Sequence, residues 1–238
     1  MSLLYKASLK ELARIRNKIF LDRGIPVLHQ NGFRKSPFAG ADFGWHPSMG
    51  FFYDLCRLSG ANLEIVKAAM IRGDRWIQIR INIFELSPAP ASLDQLTGLD
   101  GLQFYIPPNS VTEMRLHSDD IKGIALFSYD FRAQNHKLKS YFTKSGFERR
   151  ANDLGNHIEK DLRNIDSFVR RWHELHKPMV TTWEGQIPGF DAMTVTERLE
   201  ASRLLPEFEV AAQKDKGRAR QILGWLKVDG QTIEQLVK

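Results

Sequence analysis

The sequence predicts an α+β protein: an antiparallel sheet of about five strands packed on an N-terminal helix and a long helix, followed by a small helical C-terminal part. Three observations carry this. Residues 75–86, RWIQIRINIFEL, put Ile77, Ile79, Ile81 and Ile83 on one side and Trp76, Gln78, Arg80, Asn82 and Phe84 on the other, the two-residue period of a strand with one face in a core. Residues 8–20 and 152–177 instead space their apolar residues by three or four, as an amphipathic helix does. Ser8 and Thr194 are each followed three residues later by a glutamate, the signature of a capped helix start.

The elements follow in order. The first helix carries Leu12, Ile15, Ile19 and Phe20 as its stripe; Gly24 and Pro26 interrupt it, VLHQ adds a turn, and Asn31-Gly32 stops it. Residues 51–58, 62–71 and 75–86 are apolar runs separated by Ser59-Gly60 and Gly73-Asp74, which suits antiparallel hairpins. SPAPAS at 87–92 leaves this layer as a turn or linker. Further strands are expected at 102–106 and 121–131, while 111–117 is open between strand and short helix. Leu154, Ile158, Leu162, Ile165, Val169, Trp172 and Leu175 define the long helix, and short helices follow over 194–238. The expected division is a sheet domain at 1–150 and a helical region at 151–238.

Composition narrows the class. With 238 residues and 42% hydrophobic content the chain can build a real core. Its start lacks a charged leader followed by an apolar stretch, and no segment approaches the roughly 18 apolar residues that span a bilayer. A cytoplasmic protein with no membrane role is expected. The net charge of +6 is uneven: residues 151–238 hold 13 Lys/Arg and 14 Asp/Glu, leaving 21 and 14 for residues 1–150. The basic excess therefore belongs to the N-terminal part, scattered among acids and without a basic run.

Catalytic motifs are weak. RWHELHKP (171–178) places His173 and His176 three apart, whereas a zinc protease helix needs histidines four apart around a glutamate. Trp172 and Leu175 interleave with them as core residues, and histidines with Arg170, Arg171 and Lys177 suit the negative end of a helix. Cys56 with His46 or His29 lacks any activating neighbour in sequence and reads as a core thiol. No glycine-rich phosphate loop occurs. Neither a catalytic residue, a metal ligand nor a cofactor is therefore assigned. Asp120-Ile121-Lys122 has the acid-x-lysine form of metal-dependent nucleases, with Asp54 or Glu113 as the supporting acid. That makes a nucleic-acid binder or nuclease on the basic part the alternative function. Lys214, Lys216, Arg218 and Arg220, beside Ile222, Leu223 and Trp225, read as a solvated helix face or an adaptor surface.

The segment 33–52, FRKSPFAGADFGWHPSMGFF, carries Phe33, Phe38, Phe43, Trp45, Phe51 and Phe52 without regular period. Such rings either close one edge of the sheet core or form a recognition surface. The residues assigned to partner binding are Arg34, Lys35, Phe43, Trp45 and His46, with Trp76 and Arg80 from the polar strand face.

An N-terminal amphipathic helix ending in NGFRKS, this aromatic segment and a meander containing WIQIRINIFEL together resemble small bacterial domains of the toxin-immunity type, over residues 8–86. The resemblance implies a non-enzymatic cytoplasmic protein whose partner is a cognate toxin, neutralised by direct binding and occlusion. Given the positive charge, the implied toxin has an acidic surface or is not a nuclease.

Overall fold

The hairpins expected between residues 51 and 86 form the centre of the molecule. The computed structural model describes residue 5 and residues 7–47, 49–105, 109–117, 134–183 and 189–237. Strands β1 (Arg34–Lys35), β2 (Phe43–His46), β3 (Gly50–Ser59), β4 (Asn62–Ile71), β5 (Gln78–Leu86), β6 (Met114–Arg115) and β7 (Met179–Thr181) make one sheet. Its order is β1-β3-β4-β5-β6, with β2 also on β3 and β7 also on β5. Every pairing is antiparallel except that of β5 with β7. Of the five strands expected, β3, β4 and β5 are present; β1, β2, β6 and β7, two to four residues each, are too short to leave a pattern.

Helix α1 (Leu9–Ile19) starts at the expected cap with half of the expected capping box: the Glu11 amide donates to Ser8 Oγ at 3.1 Å, but the Glu11 carboxylate accepts from the Tyr5 hydroxyl. Gly24 and Pro26 do not break the helix as expected. The backbone widens into a π-helical turn at Phe20–Gly24 and continues as α2 (Ile25–Gln30). Pro26 directly follows this widened turn, which gives its ring room against the preceding carbonyls while its missing N–H removes one hydrogen bond. A Cβ on Gly24 would come within 2.7 Å of the Phe20 ring, so the glycine allows that ring to lie against the backbone. Gly32, at φ 82°, then ends the helix.

The long helix is two helices. α3 (Lys144–Arg163) begins earlier than residue 152, where Thr143 Oγ1 accepts the Gly146 amide at 3.0 Å, and it gives way at Asn164 to α4 (Ile165–Leu175). The 150/151 position therefore falls inside α3. Leu154, Ile158, Leu162, Ile165, Val169 and Trp172 pack with α1, α2 and the isoleucines 77, 79, 81 and 83 in one core. Each fully buried isoleucine contributes about 2 kcal/mol through burial.

The opposite sheet face is also covered. Towards one end Phe38, Leu96 and Phe104 pack on Cys56, Leu63, Ile65 and Phe84. The strand expected at 102–106 is instead a tight 3-10 turn at Leu102–Phe104, entered through Gly101 at φ 72°. Its apolar residues serve two cores, Phe104 joining Phe38 and Phe84 while Leu102 joins the C-terminal helices. Residues 111–117 divide between the end of a 3-10 turn at Asn109–Thr112 and the two residues of β6. The strand expected at 121–131 lies outside the described residues.

The C-terminal helices are α5 (Val195–Ala201), α6 (Leu205–Lys214), α7 (Lys216–Trp225) and α8 (Gly230–Leu236). α5 has the full capping box: Thr194 N–H donates to Glu197 Oε2 at 2.7 Å, and the Glu197 amide donates to Thr194 Oγ1 at 3.3 Å. These helices share a core of Leu199, Ile222, Leu223, Leu226 and Ile233. Through α7 they lie on the second sheet face, where Gly224 lets the backbone approach Met49. Among the described residues no helix is long and apolar enough to cross a membrane.

Candidate functional site

The aromatic segment divides by register. Phe33, Phe38 and Phe52 are buried, whereas Phe43 and Trp45 on β2 are 39% and 55% exposed. Antiparallel pairing sets Phe43 opposite Tyr53 and Trp45 opposite Phe51. Both pairs meet edge to face, with ring centroids 5.1 and 4.8 Å apart, so packing from one side fixes the two exposed rings. The Lys35 ammonium lies 5.4 Å from the Phe43 ring centre. Among the described residues β2 pairs only with β3. The Asp54 amide donates to the Asp42 carbonyl at 2.8 Å, which, by the alternation of an antiparallel ladder, turns the main-chain polar groups of Phe43 and Trp45 outward.

Lys35, Phe43 and Trp45 therefore form one patch. Arg34 and His46 flank it without joining it. Arg34 lines a groove of about 740 Å³ with Arg57, Glu64, Asp166 and Arg170, and His46 packs edge-on against Phe52. Trp76 is remote: half-buried, it bridges Lys137, whose ammonium sits 4.1 Å over the indole. Arg80 does not belong to an open surface, because its strand face lies beneath α7, where the guanidinium bonds Gln221.

Under α7 runs an enclosed row of charge. Asp54, Lys67 and Arg80 stand opposite one another on β3, β4 and β5. Glu113 accepts from Lys67 Nζ at 3.1 Å and lies 3.7 Å from Arg80 and 3.4 Å from Arg218. The Lys67 ammonium also sits 3.8 Å over Tyr105 and 4.8 Å over Trp225. Burial raises the Glu113 carboxyl, but Lys67, Arg80 and Arg218 outweigh it and hold the group at about 2. Asp54 has less compensation: burial pushes it up to about 7 against the pull of Lys67. Two cavities of about 20 and 30 Å³ share Asp42, Asp54, Gly224 and Trp225, each the size of a single water. Arg218, expected on a solvated face, is instead drawn into this row and stacks 4.5 Å over Trp225.

The motif candidates resolve as follows. His173 is exposed, while His176 caps α4 with its ring 5.3 Å from Trp172. Cys56 is fully buried and its thiol is pushed up to about 12, too basic to act as a thiolate near neutrality. Asp120 and Lys122 lie outside the described residues, and their suggested supporting acids, Asp54 and Glu113, are enclosed against Lys67. One cluster had no sequence signal at all. His117 Nε2 and His136 Nε2 lie 2.6 and 2.8 Å from the same oxygen, Asp161 Oδ2. No fixed spacing links these three positions, so only the fold assembles them.

No protein-family model, curated protein or solved structure matches the chain.

Proposed function

We propose that the protein works by binding another protein through the β2 edge, without catalysis of its own. The observation that carries this reading is the pair of exposed rings, Phe43 and Trp45, on a strand whose outer main-chain groups point outward. An edge of this kind accepts an extended segment of a partner by strand addition, and the fixed rings supply the central anchor. Lys35 and Arg34 beside it favour an acidic partner surface. In the most concrete form, the chain neutralises a bacterial toxin in the cytoplasm by occluding its active surface, as the resemblance over residues 8–86 implies.

The test is capture from native host lysate by tagged protein at low and moderate salt, with wild type, Trp45→Ala and Phe43→Ala side by side. One stoichiometric protein, retained at moderate salt by wild type and lost with Trp45→Ala, is the expected result; the loss of such an anchor costs about 2 kcal/mol or more. Capture that neither substitution affects overturns the site. Nucleic acid released by moderate salt, with no protein captured, overturns the reading in favour of a basic nucleic-acid surface.

A further inference from the structure

A second site lies at the opposite edge of the sheet from β2, where β6 ends. The donors there are two imidazole nitrogens and one carboxylate oxygen, all within 4.8 Å of one another. We propose that His117, His136 and Asp161 bind a divalent first-row transition ion of the zinc class, with water completing the coordination.

The donor chemistry supports this identity. Imidazole nitrogen suits zinc and its neighbours, whereas magnesium and calcium take oxygen ligands. Three protein ligands and a water form a common tetrahedral arrangement, with metal bonds of about 2.0–2.2 Å and donors therefore about 3.3 Å apart. The present 2.6 and 2.8 Å separations require the donors to open by roughly half an ångström to admit the ion. Access is also suitable, the side chains of His117, His136 and Asp161 being 20%, 2% and 15% exposed. His117 is the most exposed of the three.

Each ligand comes from a different element of the fold. Asp161 stands on α3, whose Ile158 and Leu162 are in the main core. His136 ends a 3-10 turn, and its carbonyl accepts the Ile77 amide at 2.9 Å just before β5. His117 follows β6 at φ 60°, a left-handed conformation uncommon for histidine, and Phe168 of α4 packs edge-on against its ring at 5.4 Å. Two imidazoles directed at one carboxylate oxygen bring three donors close enough to share an ion once the carboxylate turns aside. Arg115, near enough to disfavour charge on His136, opposes a dication, while the Asp161 carboxylate favours it. A bound ion ties the end of β6 and the 3-10 turn at Gln134–His136 to α3, a structural role independent of the β2 edge.

The test uses the full chain after chelator treatment and dialysis. Titration with Zn²⁺ in a calorimeter is expected to show one equivalent bound, and Co²⁺ to give a visible d–d band that Zn²⁺ bleaches and Mg²⁺ does not. His117→Ala and Asp161→Asn are expected to weaken Zn²⁺ binding by roughly tenfold or more. His157→Ala, an exposed histidine on the same helix, should leave it unchanged. Zn²⁺ should raise the melting temperature of wild type and not of His117→Ala. Should Asp161→Asn fail to fold by circular dichroism, His117→Ala decides alone. The proposal is overturned if wild type binds no equivalent, or if His117→Ala binds as wild type does; either leaves a hydrogen-bonded His-Asp-His clasp and no metal.

Discussion

The two faces of the central sheet are buried by different chemistry. Under α1, α3 and α4 the face is mostly apolar, with Leu55, Val66, Ile79 and Ile81 meeting Leu12, Phe20, Ile158 and Trp172, and buried charge there occurs as the pairs Arg16–Asp74 and Arg57–Glu64. Under α7 the same three strands present Asp54, Lys67 and Arg80, and the covering elements answer with Glu113, Gln221 and Arg218. Apolar burial is nondirectional and tolerates small shifts, whereas buried charges hold only while each retains its partner. The first face therefore supplies stability, and the second makes the seating of the C-terminal helices sensitive to single atoms.

Glu113 is the anion on which the charged row depends. Glu113→Ala leaves Lys67, Arg80 and Arg218 without their common anion and is expected to cost about 3–5 kcal/mol in urea unfolding. A loss below about 1 kcal/mol would mean that the row is hydrated and not enclosed. Asp54 sharpens the contrast through pH. Its carboxyl is raised in the folded state, so its stabilising contribution is full below the unfolded value near 4 and is lost as pH rises through about 7. Asp54→Asn should remove that loss, making the variant more stable than wild type by roughly 2–4 kcal/mol at pH 8 but not at pH 4. The reverse slope would mean that Lys67 keeps Asp54 ionised. On the apolar face, Ile79→Val deletes one methylene and should cost about 1 kcal/mol at every pH. Smallest of all, Trp45→Ala at the β2 edge should change stability by less than about 1 kcal/mol while abolishing partner capture.

Legibility from sequence followed the same division. The β3–β5 meander could be read because alternation is a local signal, and the starts of α1 and α5 because Ser8 and Thr194 act on amides three residues away. The apolar face announced itself in four isoleucines. The charged face could not be read in the same way: Arg80 in isolation looks like a surface residue, and its partners Glu113 and Gln221 lie far along the chain. Residues 102–106 looked like a strand because four of the five are apolar or aromatic, although Leu102 and Phe104 feed two different cores. Trp45 was legible as an aromatic without a periodic role. The His117, His136 and Asp161 cluster was invisible because tertiary structure alone makes it.

Strand β7 also orders events in time. It follows α4, pairs in parallel with the end of β5, and precedes the helices of the other face. During synthesis, the meander, α3 and α4 emerge before α7, so the apolar side can close first. Of the partners of Lys67, Arg80 and Glu113, those on α7 (Arg218, Gln221 and Trp225) are the last to be synthesised. The charged row of the sheet is thus completed by the part of the chain made last, so its final partners come from the C-terminal helices.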